Sequence, residues 1–443
     1  MKRISTKIST FFILLILFIS SCQKEETNNN TKTGDATQYS SDIAVEWMEI
    51  FRTIAKTEKL NPPRASRLYS YAGITLYESV VSGMSGYKSL DNQLKGFTEV
   101  PLSTNTDLDY SIVVNDALYV IAKNLLPTLS IASNKLIEDK KAAFIESKRN
   151  TINSTVLNNS IERGRKIGNY ILQWANQDNS NGLFTRAYTT PSRIGHPEFW
   201  QPTDAVNIHP LEPYWSEVRP FAMTNAQSCY VASAIPFSTT VGSAFYNQAM
   251  EVVTVKENLT TEQANIAVWW ADVPGATSTP AGHWVSIENI IAKQKNLNLA
   301  QAAEMYALVG ITLGDAFISC WESKYKVNLL RPKTYIQEFI AGQANWEPTW
   351  QTPPFPEYTS GHSVCSGAAA TMLTHLFGTL TFTDDTNTSF GINQRTFTSF
   401  NEAAQEAAIS RLYGGIHYRE AIELGLQQGG LVAQAAINTI HLK

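Results

Sequence analysis

Three segments in the last third of the chain carry residue types at spacings that could do chemistry. The first runs from Lys324 to Arg331-Pro332, with six residues between the lysine and the arginine. The second is Pro353-Pro354-Phe355-Pro356-Glu357-Tyr358-Thr359-Ser360-Gly361-His362. The third is Ser410-Arg411, followed after five residues by His417. Together they supply the cations Lys324, Arg331 and Arg411, the Ser360 hydroxyl, the Gly361 amide and two histidines. Arginines present fork-like donors that suit tetrahedral oxyanions. A helix N-terminus adds unpaired N–H groups and the positive end of a dipole. The ligand for such a set is an oxyanion such as phosphate or its analogue vanadate. One histidine would bond to the central atom, and the other would handle protons. Singly, each residue has an ordinary structural use as a helix-end charge, a helix start or a core histidine. Their joint occurrence, in order, is what points to chemistry.

The elements that must position these groups read as helices. Ile43, Val45, Trp47, Ile50, Phe51 and Ile54 recur at helical spacing. Pro62 and Pro63 open a second helix through Leu76. Apolar periodicity predicts further helices over 111–125, 130–152, 155–175, 261–270, 283–294, 299–323, 362–377, 400–412 and 419–440. A Pro/Trp/Gly-rich stretch over 178–238 breaks the pattern and reads as long loops packed on the helices. Pro332 is expected to act as helix-stop punctuation. There is no sustained alternation, no βαβ rhythm and no fixed-period repeat. The fold class is therefore all-α, with 41–443 expected as one domain and the chemistry concentrated in 321–421.

Composition narrows the class without naming a reaction. At 443 residues, with 43% hydrophobic and 17% charged side chains, the chain has material for a large buried core. A formal net charge of -4 and the lack of a basic block give no sign of a nucleic-acid partner. Four cysteines are too few for a disulfide framework at this length. Lys2, Arg3 and Lys7 precede an apolar run from Phe11 to Ile19, which spans only about 14 Å as a helix against a bilayer core of ~30 Å. This reads as an export signal over 1–21, and no other segment is expected to span a membrane. Ile19-Ser20-Ser21-Cys22 resembles a bacterial lipobox, which implies a lipid anchor on Cys22 as the membrane attachment. Gln23-Lys24-Glu25-Glu26 resembles the surface-export signal of Bacteroidetes lipoproteins, which would place the protein on the outer membrane facing outward; a solvated tether remains the other reading. Residues 22–40 are polar and read as that tether.

The three chemical segments resemble a motif shared by the vanadium-dependent haloperoxidases and the type 2 phosphatidic acid phosphatases. That motif is Lys-x6-Arg-Pro, then Pro-Ser-Gly-His, then Ser-Arg-x5-His-x3-Asp. Asn61-Pro62-Pro63-Arg64-Ala65-Ser66-Arg67 and the stretch 270–284 are a softer likeness to the haloperoxidases. The chain departs from the motif twice: Thr359 stands for its proline and Ala421 for its final aspartate. The second departure leaves the carboxylate that orients His417 unassigned, with Glu420 or a backbone carbonyl as candidates. The resemblance implies helical bundles with two four-helix-bundle-like cores. It also implies one vanadate per chain ligated by His417, its oxygens held by Lys324, Arg331, Ser360, Gly361, His362 and Arg411. Lys324, His362, Arg411 and His417 would be catalytic. Asp272 could pair with Arg411.

Two activities share that pocket. A haloperoxidase would oxidise halide with hydrogen peroxide to hypohalous acid, with an organic halogen acceptor as a further partner and no haem. A phosphatase would form a phosphohistidine at His417 and be inhibited by vanadate. Trp321 and Phe355 favour the peroxidase, because aromatic residues at these places resemble the pocket of fungal chloroperoxidases and bacterial iodoperoxidases. An apolar wall there suits a weakly hydrated anion, so iodide is expected first and bromide second.

Overall fold

The structure is a computed structural model that describes residues 34–102, 107–204 and 208–443. The export signal and Cys22 lie outside the described residues. Among these, the chain forms α1 Asp42–Thr57, α2 Pro62–Val80, α3 Tyr110–Asn124, α4 Ile131–Arg149, α5 Ser154–Ala175 and the single turn α6 Ser180–Leu183. There follow α7 Ala244–Glu257, α8 Thr261–Trp269, α9 Thr279–Gln294, α10 Leu299–Val327 and α11 Pro332–Phe339. The chain closes with α12 Gly361–Phe377, α13 Phe400–Tyr413 and α14 Arg419–Thr439. One hairpin, β1 Phe382–Asp384 against β2 Arg395–Phe397, sits between α12 and α13.

Two bundles share α10. On one side α2 runs along it, backed by α1, α3 and α5; on the other lie α12, α13 and α14. One buried apolar cluster runs through both, from Trp47 and Phe51 in α1 to Val432 and Ala436 in α14. By length and apolar content α10 would suffice to span a bilayer, a possibility the sequence reading excluded. Here it is a core helix, almost wholly buried by its neighbours. Backbone-to-backbone approach brings α14 against α12: a Cβ on Gly429 would lie 2.2 Å from the Val364 carbonyl oxygen, and one on Gly367 2.5 Å from that of Leu426. Only glycine fits at those two places, and the contact fixes where the first turn of α12 sits.

Several local expectations needed correction. The tether predicted through residue 40 ends sooner: Ala36 is fully buried, the Tyr39 ring packs edge-on against Tyr110, and the Tyr39 carbonyl caps Leu299. Pro332 does not stop α10, which ends at Val327 on the left-handed Asn328; it opens α11 as its first residue, where its missing N–H has no cost. Helix α7 and the hairpin were not predicted.

The irregular stretch after α5 is packed as expected. Arg67 donates to Asp178 at 2.6 Å, Arg64 and Asn61 to Glu212, and the backbone amides of Phe221, Ala222 and Met223 to the buried Asp315 carboxylate. Asn61-Pro62-Pro63-Arg64 thus caps α2 and anchors this loop at once.

Candidate active site

The C-terminus of α10, the N-terminus of α12 and the α13–α14 turn meet at one buried place. Lys324, in the last turn of α10, is fully buried and donates to the carbonyls of Pro356, Glu357 and Thr359 at 3.1, 2.9 and 2.5 Å. All three ammonium protons therefore hold the segment that leads into α12. Burial pushes Lys324 down to about 7, and an anion nearby would restore its charge. Arg331 caps α11 and is also fully buried. Its Nε donates to the Phe355 carbonyl and its Nη1 to the Ile416 carbonyl, both at 2.9 Å, while Nη2 has no partner.

His417 is fixed from both sides. Arg331 Nη1 lies 3.1 Å from its Nε2 and Glu357 Oε1 2.7 Å from its Nδ1. A guanidinium can only donate, so Nε2 must be the acceptor and Nδ1 must carry the proton that goes to Glu357. Burial, reinforced by the charges of Arg331, Lys324 and Arg411, holds His417 far below the usual histidine range. The result is a neutral imidazole with its lone pair on Nε2, among cations. Glu357 is itself fully buried; its Oε1 also accepts from the Tyr418 amide at 3.0 Å, and its Oε2 has no partner. Burial pushes it up to about 7, against the pull of Arg331 and Lys324.

This resolves the missing aspartate. At Ala421 only the backbone takes part, its carbonyl accepting from the Ser360 amide. Glu420 faces elsewhere, binding Ser233 and the amides of Ala234 and Ile235. Glu357, inside the second chemical segment, is the carboxylate that orients His417. Thr359 likewise does more than alter loop stiffness: its hydroxyl donates to Gln428 at 2.6 Å, which a proline could not do.

Ser360 caps α12 through its side chain, so the Gly361 and His362 amides open a helix without intrahelical acceptors. His362 is 17% exposed, and its Nε2 has no hydrogen-bond partner. Burial and the nearby charges of Arg411 and His283 hold it well below the usual range. Arg411, in the last turn of α13, donates to the Trp270 carbonyl at 2.7 Å and to Ser410 Oγ at 3.0 Å. The expected Asp272–Arg411 pair is not formed as a contact. Asp272 bonds to His283, and its charge reaches Arg411 only at longer range. Trp321 and Phe355 lie together, ring centroids 5.1 Å apart, with the Lys324 ammonium 5.0 Å from the Phe355 ring. A Cβ on Gly361 would sit 3.8 Å from Trp321, so this aromatic wall adjoins the start of α12. Leu211, from the long loop, accepts from Trp321 Nε1 and joins the same wall.

A crystal structure of a bacterial vanadium-dependent iodoperoxidase matches with a TM-score of 0.84 and 34% sequence identity, over 91% of this chain and 97% of that one. The chain belongs to the vanadium-dependent haloperoxidases. A family model described as the VCPO second helical-bundle domain matches residues 304–442 of this haloperoxidase, the part that holds every motif residue. Holo and apo crystal structures of a bacterial vanadium-dependent chloroperoxidase share its fold. They match with TM-scores of 0.67 and 0.68 at 14% and 13% identity, over 87% and 91% of this chain and 93% and 98% of theirs. No curated protein sequence matches.

The residues of this haloperoxidase fit an oxyanion. The pocket has an open, buried guanidinium donor at Arg331 Nη2, helix-start amides, two further cations and a neutral histidine nitrogen. Such a set would repel a simple cation and leave an anion well bonded. Sequence reasoning missed Glu357 and His283. Glu357 could have been found as the only carboxylate in the second segment. His283 carries no motif signal.

Proposed function

We propose that this haloperoxidase oxidises iodide, and bromide less readily, with hydrogen peroxide, using one vanadate held at His417 Nε2. The observation that carries the reading is the state of His417: a neutral ring, its proton committed to Glu357 and its lone pair on Nε2, which vanadate would take over from Arg331 Nη1. Arg331 Nη2, the Ser360 hydroxyl, the helix-start amides and Arg411 would hold the vanadate oxygens. Vanadate at its highest oxidation state supplies an electrophilic centre that takes up peroxide and activates it toward halide.

The chain's own residues do the rest. Lys324 fixes the 356–359 backbone and keeps a positive charge beside the oxyanion. Its bond to Pro356 is the longest of the three and the one most readily exchanged for an anion. His362, whose Nε2 is buried and has no hydrogen-bond partner, takes the proton that peroxide loses and returns it to the departing oxygen. Each turnover consumes one halide, one peroxide and one proton, and releases one hypohalous acid and one water. The Trp321–Phe355 wall gives the halide an apolar approach that favours the most weakly hydrated ion. An organic acceptor, where one is present, would react with hypohalous acid outside the pocket.

The test uses mature protein stripped of metal and then loaded with orthovanadate. Vanadate-dependent triiodide formation, with weak hydrolysis of p-nitrophenyl phosphate by the apo form, is the expected result. Strong apo phosphatase turnover with negligible halide oxidation would overturn it.

A second part of the proposal concerns location. Residues 1–21 act as an export signal and Cys22 carries the lipid that ties the protein to the outer membrane. Labelled palmitate should enter the wild type and not Cys22→Ala; equal labelling would refute the anchor.

A further inference from the structure

A second buried cluster stands behind His362. The Asp272 Oδ2 atom lies 3.9 Å from His362 Nε2. Both Asp272 oxygens face His283 Nδ1, at 3.1 and 3.2 Å, and His283 Nε2 meets Asp384 Oδ2 at 2.8 Å. Asp384 belongs to β1, 101 residues along the chain from His283. It is held in turn by Trp269 Nε1 at 3.0 Å and by the amide and hydroxyl of Thr386 at 3.0 and 2.5 Å. Trp270 stacks on the His283 ring at 4.2 Å. All three ionisable side chains are buried.

A histidine that meets a carboxylate at each nitrogen donates at both, so it carries a positive charge. One cation between two carboxylates leaves a surplus of one negative charge, buried with nothing of its own to neutralise it. His362 and Arg411 face this surplus, and Arg52, Lys56 and Lys59 line a cavity that Asp272 also lines. A purely structural Asp–His pair would need no second carboxylate. The loop that presents Asp272 is also strained: Asp272 has φ +47° and Thr279, a β-branched residue, φ +71°. Such backbone persists where the surroundings over-determine it, and the bonds from His283 and Asn387 supply that restraint.

We propose that Asp384 and His283 are positioning residues for halide oxidation: they hold the Asp272 carboxylate near His362 Nε2, where its charge balances the one the ring gains with the proton. The inference rests on the haloperoxidase reading. It assigns the hairpin a part in the reaction, through contacts that reach the pocket by way of Asp272 and of Trp270, which stacks on His283 and accepts from Arg411.

The test compares wild type, Asp384→Asn and His283→Gln in two measurements, steady-state iodide oxidation by the loaded enzyme and calorimetric binding of orthovanadate to the apo protein. In the variants kcat should fall at least about 10-fold, a modest part of the contribution of a positioned acid–base group. The KM for iodide and the vanadate affinity should stay within about threefold of wild type, since none of the displaced groups touches the oxyanion. An unchanged kcat would overturn the proposal, and so would a vanadate affinity that falls as far as kcat, because the cluster would then only hold the pocket together. Should Asp384→Asn not fold, Thr386→Val, which removes one donor to Asp384, decides: a kcat several-fold lower at unchanged KM supports the proposal and an unchanged kcat overturns it. A wild type that neither binds vanadate nor oxidises iodide would refute the haloperoxidase reading, and this proposal with it; an active wild type with unaffected variants refutes the positioning role alone.

Discussion

Replacing Glu357 by glutamine tests how the site compensates for Ala421. Glu357 Oε1 accepts from His417 Nδ1 at 2.7 Å and from the Tyr418 amide at 3.0 Å. In Glu357→Gln the amide oxygen can still accept both, but without its charge. Hydrogen bonds to charged groups contribute about 1.5–3 kcal/mol against about 0.5–1.5 for neutral pairs, so the bond that fixes the tautomer weakens by about 1–1.5 kcal/mol. The new NH2 must take the place of Oε2, which has no partner, and there it is buried near Arg331 with nothing to accept from it. That adds a cost of about 1–3 kcal/mol, part of which falls on the folded protein as a whole. The vanadate affinity should therefore drop about 10- to 100-fold, the range typical when a carboxylate supporting a ligating histidine is changed. Calorimetric titration of apo protein at pH 8 measures this, above the value of about 7 to which burial pushes Glu357, so that the wild-type carboxylate is ionised. A parallel melting curve establishes that the variant is folded. An affinity within twofold of wild type would refute the claim that Glu357 sets the state of His417.

Other parts of the account have their own checks. Substituting Trp321 or Phe355 by a polar residue should lower iodide turnover relative to bromide; an unchanged ratio would make the pair core residues only. Asp178→Ala should destabilise the fold by about 3–5 kcal/mol, read from denaturant unfolding, because it leaves the buried Arg67 guanidinium without its carboxylate. Asp272 and Asp384 raise His283 to about 10 against the effect of burial, which disfavours its charge. The stability this contributes is full below pH 6.5, the ordinary histidine value, and is lost as pH rises toward 10. The melting temperature of wild type should thus fall more steeply over that window than that of His283→Gln, and parallel curves would contradict a charged His283.

The long helices were legible because each buries one continuous stripe, as in α1, where Ile43, Trp47, Ile50 and Ile54 all face the core. Helix α7 keeps the same spacing at Phe245, Ala249, Val252 and Val253, but it adjoins a Ser/Thr-rich run that masks its start. The strands span three residues each, too short for alternation to register. The motif side chains could be read because each is tied to a helix end at fixed sequence distance from its neighbours. Their supporting partners could not: Glu357 with His417 and Asp384 with His283 pair segments far apart in the chain, most of them outside the helices, and no local spacing encodes them. Trp321 and Phe355 stand together as an aromatic wall, while Lys324 turned out to spend its protons on the backbone.

The most direct test of the central claim, that His417 Nε2 ligates vanadate, is the titration of apo wild type and His417→Ala with orthovanadate, followed by calorimetry and by the ⁵¹V resonance. The account predicts a single saturable site in wild type with a shifted resonance, and in the variant only the free-vanadate signal with no halide oxidation. Stoichiometric binding and normal triiodide formation by His417→Ala would contradict it.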